Sequence, residues 1–175
     1  MRKHNLAFID VETTGLNAMK HEIIELGCVL AKPDLEIIEE FELKIKPEHI
    51  EDAEPVALRI NNYDPANWVF AYTLPQAMKI FSEKAKNTIM VGHNLSFDYG
   101  FLEHALIKCG IANTMHYHKL DTISIAWAKL HRQPDLDRFS LRELCSRFNI
   151  ENKKAHSALS DARATYELYK KMMVI

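Results

Sequence analysis

The chain has 175 residues, a formal net charge of −2 at pH 7 and 47% hydrophobic residues. This length and composition predict one globular domain over residues 1–175 with a buried core. The charge excludes the strongly basic character of proteins that coat duplex DNA nonspecifically, so any binding to nucleic acid has to be local.

Cysteine usage and hydropathy constrain the compartment. Cys28, Cys109 and Cys145 are widely spaced and include no C-x-x-C pair, which argues against a disulfide framework and against a zinc site. No apolar stretch is long enough to cross a membrane, and the apolar run near the N-terminus meets Asp10 too early for a signal peptide. We therefore expect a reducing, cytoplasmic location and no membrane partner.

The first predicted element is a buried strand within residues 6–16, LAFIDVETTGL, whose apolar run ends in two acids and a turn. Alternation along a strand puts Asp10 and Glu12 on the same face as Leu6 and Phe8. An unpaired buried carboxylate is costly or takes up a proton, so the pair implies a positive partner, most simply a divalent metal ion. The alternative is a strand end at which both acids turn into water.

Two further strands are predicted at residues 22–30 and 37–45, and with the first strand they form a meander. Acids outnumber bases between residues 34 and 54, so this face should repel a polyanion.

Residues 54–72 indicate a short helix and a loop, without a functional assignment. Thr73 is a capping residue with Gln76 three positions later, which predicts a helix that ends near residue 86.

A short buried strand with a glycine at its end is predicted at residues 88–94, and Ser96 is expected to cap the helix that follows. Asp98, Leu102 and Leu106 recur every four residues, so Asp98 lies on the apolar stripe of that helix and faces inward. An acid in the first turn is also favoured by the helix dipole, and this alternative explains Asp98 without a metal.

The next elements are a strand at residues 117–121, a helix at 122–130, a charged connection at 132–138 and a short helix that opens with a capping box at Ser140. Bases outnumber acids between residues 129 and 163. One interpretation of this basic stretch is a set of solvated helix faces. The other is a groove that follows a nucleic-acid strand, because such a groove requires an excess of positive charge.

The last predicted helix runs from about residue 157 to about residue 173. Asp161 falls within its apolar stripe, and His156 lies just before the helix, five residues ahead of Asp161. A histidine in a capping loop without a chemical role is the alternative for His156.

Four inward acids and one histidine suit a particular chemistry. Carboxylates are hard oxygen ligands that favour Mg²⁺ or Mn²⁺ over zinc. Two such ions stabilise the attacking and leaving oxygens of an in-line phosphoryl displacement, and an imidazole can accept the proton of the attacking water near neutral pH. This combination predicts phosphodiester hydrolysis.

The segments FIDVETTGL, GHNLSFDYGFL and HSALSDA resemble, in order and separation, the three motifs of the DEDDh (DnaQ-like) 3′-to-5′ exonucleases. The resemblance covers essentially the whole chain, since LDT at residues 120–122 and SLRELCSRFNI at residues 140–150 are similar to intervening family segments. It implies an α/β, ribonuclease-H-like fold with a mixed five-stranded sheet flanked by helices.

The same resemblance implies the site residues and cofactors. The general base would be His156, and Asp10 would bridge two divalent metal ions, Mg²⁺ or Mn²⁺. The full set of metal ligands would be Asp10, Glu12, Asp98 and Asp161.

The resemblance also implies contacts with the substrate. The backbone around Thr13 would meet the terminal 3′-hydroxyl, Leu16 would wedge against the terminal base, and Asn94 and Phe97 would line its pocket. Two alternatives stay open: Leu16 as an ordinary core residue and Phe97 as a buried ring without a substrate contact. A site that holds a strand by its end and backbone should select little among bases.

We therefore expect a metal-dependent 3′-to-5′ exonuclease that releases nucleoside 5′-monophosphates from the 3′ ends of single-stranded DNA or RNA. DNA is favoured because Thr13 and Thr14 follow the first acids where oligoribonucleases usually carry methionine. The alternatives are an exoribonuclease resembling ribonuclease T or oligoribonuclease, and a noncatalytic module that binds nucleic acid or a polymerase. A DNA polymerase is a candidate partner, and the oligomeric state is open.

Overall fold

The computed structural model describes residues 3–133, 136–152 and 155–174. Five strands form one sheet in the order β3-β2-β1-β4-β5. The first three strands are antiparallel neighbours, and β4 and β5 run parallel to β1. The mixed five-stranded sheet is therefore confirmed, with strands β1 (Leu6–Thr13), β2 (Ile23–Ala31), β3 (Ile37–Lys44), β4 (Ile89–Gly92) and β5 (Lys119–Asp121).

Six α-helices accompany the sheet in the described part of the chain. Two single-turn 3-10 helices, Ile50–Asp52 and Pro65–Trp68, lie in the connection between β3 and the second helix. The helices are α1 (Pro55–Ile60), α2 (Leu74–Lys84), α3 (Leu95–Lys108), α4 (Thr122–Leu130), α5 (Leu141–Arg147) and α6 (Ala158–Met172).

The alternation of side chains along β1 divides the core into two layers. Ala7, Ile9 and Val11 pack with residues of α2 and α3 on one face of the sheet. Leu6 and Phe8 pack with residues of α6 on the other face. Helices therefore cover both faces of the strand, and Asp10 and Glu12 continue the face that α6 covers.

The start of α3 corrects one sequence prediction. The helix begins at Leu95, and its cap is Asn94, whose φ of 63° is left-handed; Ser96 lies inside the first turn. The Leu95 amide donates to Asp121 Oδ2 at 2.9 Å. Because a distant carboxylate satisfies this amide, the helix begins one residue before the expected cap at Ser96.

The other caps agree more closely with expectation. Thr73 and Gln76 form the predicted capping box at the start of α2. The Ser140 hydroxyl oxygen accepts from the Glu143 amide, and the Glu143 carboxylate accepts from the same hydroxyl instead of the Ser140 backbone. Of the predicted charged connection, residues 134 and 135 lie outside the described residues.

Strand β5 is shorter than predicted because its pairing with β4 covers only Met90 to Gly92. Within the described residues, no helix combines the length and apolar character that a membrane crossing requires.

Candidate active site

The first two acids lie at the carboxyl end of β1. Glu12 is 9% exposed, and Asp10 is partly exposed. In the antiparallel register Asp10 lies opposite Gly27 and Glu12 lies opposite Glu25. Residues opposite each other in such a pair share a face, so three carboxylates of β1 and β2 point toward α6.

Gly27 allows α6 to approach these acids. A Cβ atom at position 27 would lie 2.2 Å from the carbonyl carbon of Ala158 and from the amide nitrogen of Leu159. The first turn of α6 therefore rests directly on the β2 backbone opposite Asp10, a contact that only glycine permits. Asp161, in the same turn, is buried beside the strand acids as a result.

Asp98 enters the site from the opposite helical layer. It lies in the first turn of α3, is 3% exposed, and its Oδ1 accepts the Val11 amide at 2.9 Å. Val11 is the residue between Asp10 and Glu12. This single bond joins the helix that carries the third acid to the strand that carries the first two.

Asp161 organises the segment that precedes α6. Its Oδ2 accepts the His156 amide at 3.0 Å, and its Oδ1 accepts from the Asn152 side chain. Asn152 is held in turn by the Ser160 hydroxyl at 2.8 Å. His156 has a left-handed backbone, with φ of 67°, and an exposed side chain.

The five residues expected to carry chemistry do come together. Ligand atoms of Glu12, His156 and Asp161 all lie within 4.8 Å of one another. Asp10 is close enough to its neighbours for Asp98 and Asp161 to raise its pKa. The acids therefore converge from one strand and two helices.

Burial and mutual repulsion favour the protonated forms of several acids in this cluster. Burial, and then the charges of Asp161 and Asp98, raise the pKa of Glu12 to about 8. The pKa of Asp98 is raised to about 7, mainly by burial, against the opposing effect of the Val11 amide. Although part of the Asp10 residue is exposed, its carboxyl group is desolvated, and this desolvation, followed by the charges of Asp98 and Asp161, raises the pKa of Asp10 well above its usual range.

Such a cluster requires compensation near neutral pH. Carboxyl groups in this arrangement either keep protons or bind a cation. The donor set, carboxylate oxygens with one imidazole nearby, fits hard divalent cations.

A cleft of about 270 Å³ lies beside Glu12 and holds most of the predicted substrate contacts. Leu16 is 77% exposed at this cleft, which excludes its alternative as an ordinary core residue. Phe97 also lines the cleft and is partly buried, with its ring 4.9 Å from that of Phe101. Asn94 is exposed at the start of α3 and is not among the residues that line the cleft.

Thr13 and its surroundings include a residue that sequence reasoning missed. The Thr13 carbonyl accepts from the Asn61 side chain at 2.8 Å, and its hydroxyl donates to the Gly15 carbonyl at 2.7 Å. Asn61 follows α1, within the stretch that the sequence left without a functional assignment. Val56 and Ile60 of α1 add exposed apolar side chains to the same cleft.

Two other residues near the acids were also missed. Glu25 is buried opposite Glu12, and burial followed by its hydrogen bond with Glu42 raises its pKa to about 8. Gly27 carried a usable signal, because a glycine inside a strand often marks a close backbone approach. Glu25 carried none beyond its position in an apolar run.

Comparison with known proteins places the chain in context. A family model named RNase_T, described as an exonuclease, matches residues 7–169. The DNA polymerase III PolC-type of Caldanaerobacter subterraneus subsp. tengcongensis is 30% identical over 164 residues, which cover 94% of this chain and 11% of that protein. The corresponding protein of Listeria welshimeri serovar 6b is 35% identical over 172 residues, with 94% and 11% covered. The chain thus spans about a tenth of the length of these curated relatives.

A solved structure shares the fold. E. coli exonuclease I in complex with a dT13 oligonucleotide superposes with a TM-score of 0.82 at 18% identity, covering 98% of this chain and 41% of that one. At this identity the likeness establishes the architecture of sheet and helices.

Proposed function

Because the chain belongs to the exonuclease family whose model matches residues 7–169, we propose that it is a metal-dependent 3′-to-5′ exonuclease of the DEDDh type. It removes nucleoside 5′-monophosphates from single-stranded 3′ ends, with DNA favoured over RNA. The observation that carries this proposal is the convergence of Asp10, Glu12, Asp98 and Asp161, because such a cluster of carboxyl groups favours bound cations. The raised pKa values of Asp10, Glu12 and Asp98 support it.

In this proposal the four acids would hold two divalent ions, Mg²⁺ or Mn²⁺. When bound, such ions lower the pKa of a ligating water and stabilise negative charge on the attacking and leaving oxygens. Buried acids from separate elements suit this role because their own repulsion favours a bound cation over an empty cluster.

His156 acts as the general base. Its imidazole is exposed beside Glu12 and Asp161, where it can take a proton from the attacking water. The water oxygen bonds to phosphorus as the bond from phosphorus to the upstream 3′-oxygen breaks, and that oxygen then gains a proton from solvent. The hydrogen bond from the His156 amide to Asp161 fixes the backbone that carries the base.

The 270 Å³ cleft takes the terminal nucleoside. Leu16 packs against the terminal base, helped by Val56 and Ile60, and Phe97 closes the cleft. The backbone at Thr13, held by Asn61, meets the terminal 3′-hydroxyl. Apolar contacts of this kind accept any base, so base selectivity is low.

The direct test uses 5′-labelled single-stranded DNA and RNA of identical sequence, incubated with the protein in Mg²⁺, Mn²⁺ or EDTA. We expect a ladder that shortens from the 3′ end, depends on metal and is lost in Asp161→Asn. The matched control is Asp137→Asn, which changes an exposed acid outside the acid cluster. Faster RNA than DNA cleavage would select the exoribonuclease alternative. Binding of both strands without shortening in either metal would contradict the hydrolase and favour a noncatalytic binding module.

The relatives suggest a partner as well. Two proteins described as DNA polymerase III PolC-type match nearly this whole chain. We infer that the chain works with a DNA polymerase on newly made 3′ ends, and pull-down with a replicative polymerase at physiological salt tests this association.

A further inference from the structure

A second groove, which we call the upstream groove, adjoins the acid cluster. Its described lining shares no residue with the 270 Å³ cleft beside Glu12, which we call the terminal cleft. The upstream groove has a volume of about 600 Å³ and shares His156 and Asp161 with the cluster. Its remaining lining includes Leu141, Arg142 and Ile150. It therefore begins where the scissile phosphate would lie and continues along α5.

Arg142 supplies a free positive charge to the upstream groove. Its side chain is exposed, and among the described residues its guanidinium has no hydrogen-bond or ion-pair partner. Arg163, in contrast, is paired with Glu40 at 2.7 Å. A guanidinium without a protein partner at the edge of a groove is suited to a phosphate.

The neighbouring clefts are poorly suited to phosphates. A neighbouring groove of about 620 Å³, which also includes His156, contains Glu25 and Glu42, and Lys44 is its one lysine or arginine among the described residues. The Lys44 ammonium already lies 4.2 Å from the centre of the Trp68 ring. The terminal cleft contains Glu12 and Glu54, and none of its described lining residues is a lysine or an arginine.

The upstream groove also has surfaces for bases. Leu141 and Ile150 are partly buried apolar side chains on its wall. If a nucleic-acid strand directs its phosphates toward Arg142, the faces of its bases can pack against Leu141 and Ile150. Such a contact depends little on base sequence.

We propose that the upstream groove holds the nucleotides on the 5′ side of the scissile phosphate and that Arg142 binds one of their phosphates. This inference rests on the proposed exonuclease function and deepens it, because it assigns the path by which the strand leaves the site. The acid-lined groove of Glu25 and Glu42 is left to solvent.

The test compares two substrates in Mg²⁺ and in Mn²⁺. One is a 5′-labelled decamer of thymidylate, and the other is the p-nitrophenyl ester of thymidine 5′-monophosphate, which has no upstream nucleotide. Arg142→Ala should lower kcat/KM on the decamer about five- to twentyfold, mainly through KM, and leave ester hydrolysis within about twofold of the native protein. The dependence of log kcat/KM on log salt should become shallower by about 0.7 for the one lost phosphate contact.

Lys44→Ala is the matched control, because Lys44 is the lysine that the described part of the chain contributes to the competing groove. It should leave both activities within about twofold. A loss on the decamer in Lys44→Ala, or none in Arg142→Ala, would overturn the assigned path. If the native protein cleaves neither substrate in either metal, the proposed function fails and the inference falls with it.

Neutral linkages locate the contact independently of protein stability. Decamers that carry a single methylphosphonate at the first, second or third linkage upstream of the scissile bond remove one phosphate charge each. At one of these positions the native protein should lose as much kcat/KM as Arg142→Ala does, and Arg142→Ala should lose nothing further. Equal losses in the two proteins at every position would contradict the contact.

Discussion

At the scale of single residues, the carboxylate of Asp98 has two separable roles. One oxygen accepts the Val11 amide, which is a structural bond between α3 and β1. The second role depends on the negative charge of the carboxylate, which we propose helps to bind a divalent cation. A substitution that keeps the acceptor and removes the charge distinguishes the two roles.

Asp98→Asn should therefore fold normally and lose at least about a hundredfold in exonuclease rate, since one ligand charge is gone. Asp98→Ala should lose the same activity and also about 1–3 kcal/mol of unfolding free energy, because the buried Val11 amide loses its acceptor. Urea denaturation and the single-strand assay measure the two effects. Equal stability of the two variants would show that the Val11 bond has no structural importance.

Leu16 contributes to substrate contact and very little to the core. Because it is 77% exposed, Leu16→Ala should leave the melting temperature unchanged and weaken substrate binding by about 1–2 kcal/mol, seen as a higher KM for all four terminal bases. Met19→Ala is the control, since Met19 is 78% exposed but lies outside the terminal cleft. A similar KM increase in both variants would contradict a specific wedge.

At the scale of elements, the site depends on how closely α6 approaches the sheet. Gly27 sets that approach, because any Cβ there would overlap the backbone of Ala158 and Leu159. Asp161 lies in the turn of α6 that contacts Gly27, and its carboxylate accepts a hydrogen bond from the His156 amide. Displacing α6 would thus move a proposed metal ligand and the proposed base together.

Gly27→Ala should cost about 3 kcal/mol of unfolding free energy and lower activity by more than tenfold, through the displaced Asp161. Gly100→Ala is the matched control on α3: its Cβ would have no neighbour within 4 Å, so alanine should be neutral or stabilising by up to about 1 kcal/mol. Thermal unfolding and the exonuclease assay check both. Native-like activity in Gly27→Ala would mean that α6 can shift without consequence for the site.

Elements with a strong local signal were predictable from the sequence. The stripe of α6 and the alternation in β1 place Asp161, Asp10 and Glu12 on the correct faces, because burial of apolar neighbours decides both. Long-range contacts carried no such signal. The Leu95 amide is satisfied by Asp121, 26 residues away, and Asn61 reaches Thr13 across 48 residues, so neither the true start of α3 nor the support of Thr13 could be read locally.

At the scale of the whole molecule, the acid cluster links stability to pH. The pKa values of Glu12 and Glu25 are raised to about 8 and that of Asp98 to about 7, from ordinary values near 4. The folded chain therefore binds more protons than the unfolded chain between these limits. The stabilisation is fully present below about pH 4 and is lost as the pH rises through about 8.

In EDTA, the unfolding free energy should accordingly fall by an amount on the order of several kcal/mol between pH 5 and pH 8.5. Mn²⁺ should reduce that fall, since a cation replaces the protons that the acids lose. Urea denaturation at a series of pH values, with and without metal, measures this linkage. A metal-free stability that rises with pH would show that these carboxyls are not in a shared, buried environment.

The bare backbone at position 27 has a consequence for protein design. Transplanting four carboxylates and a histidine onto another α/β scaffold would not reproduce this site. The short separation between the strand acids and Asp161 requires that position 27 have no side chain. A recipient scaffold would need an unoccupied position on its second strand, directly across from the first acid. A search for suitable scaffolds can therefore begin with a glycine at this position of the second strand and add the acids afterwards.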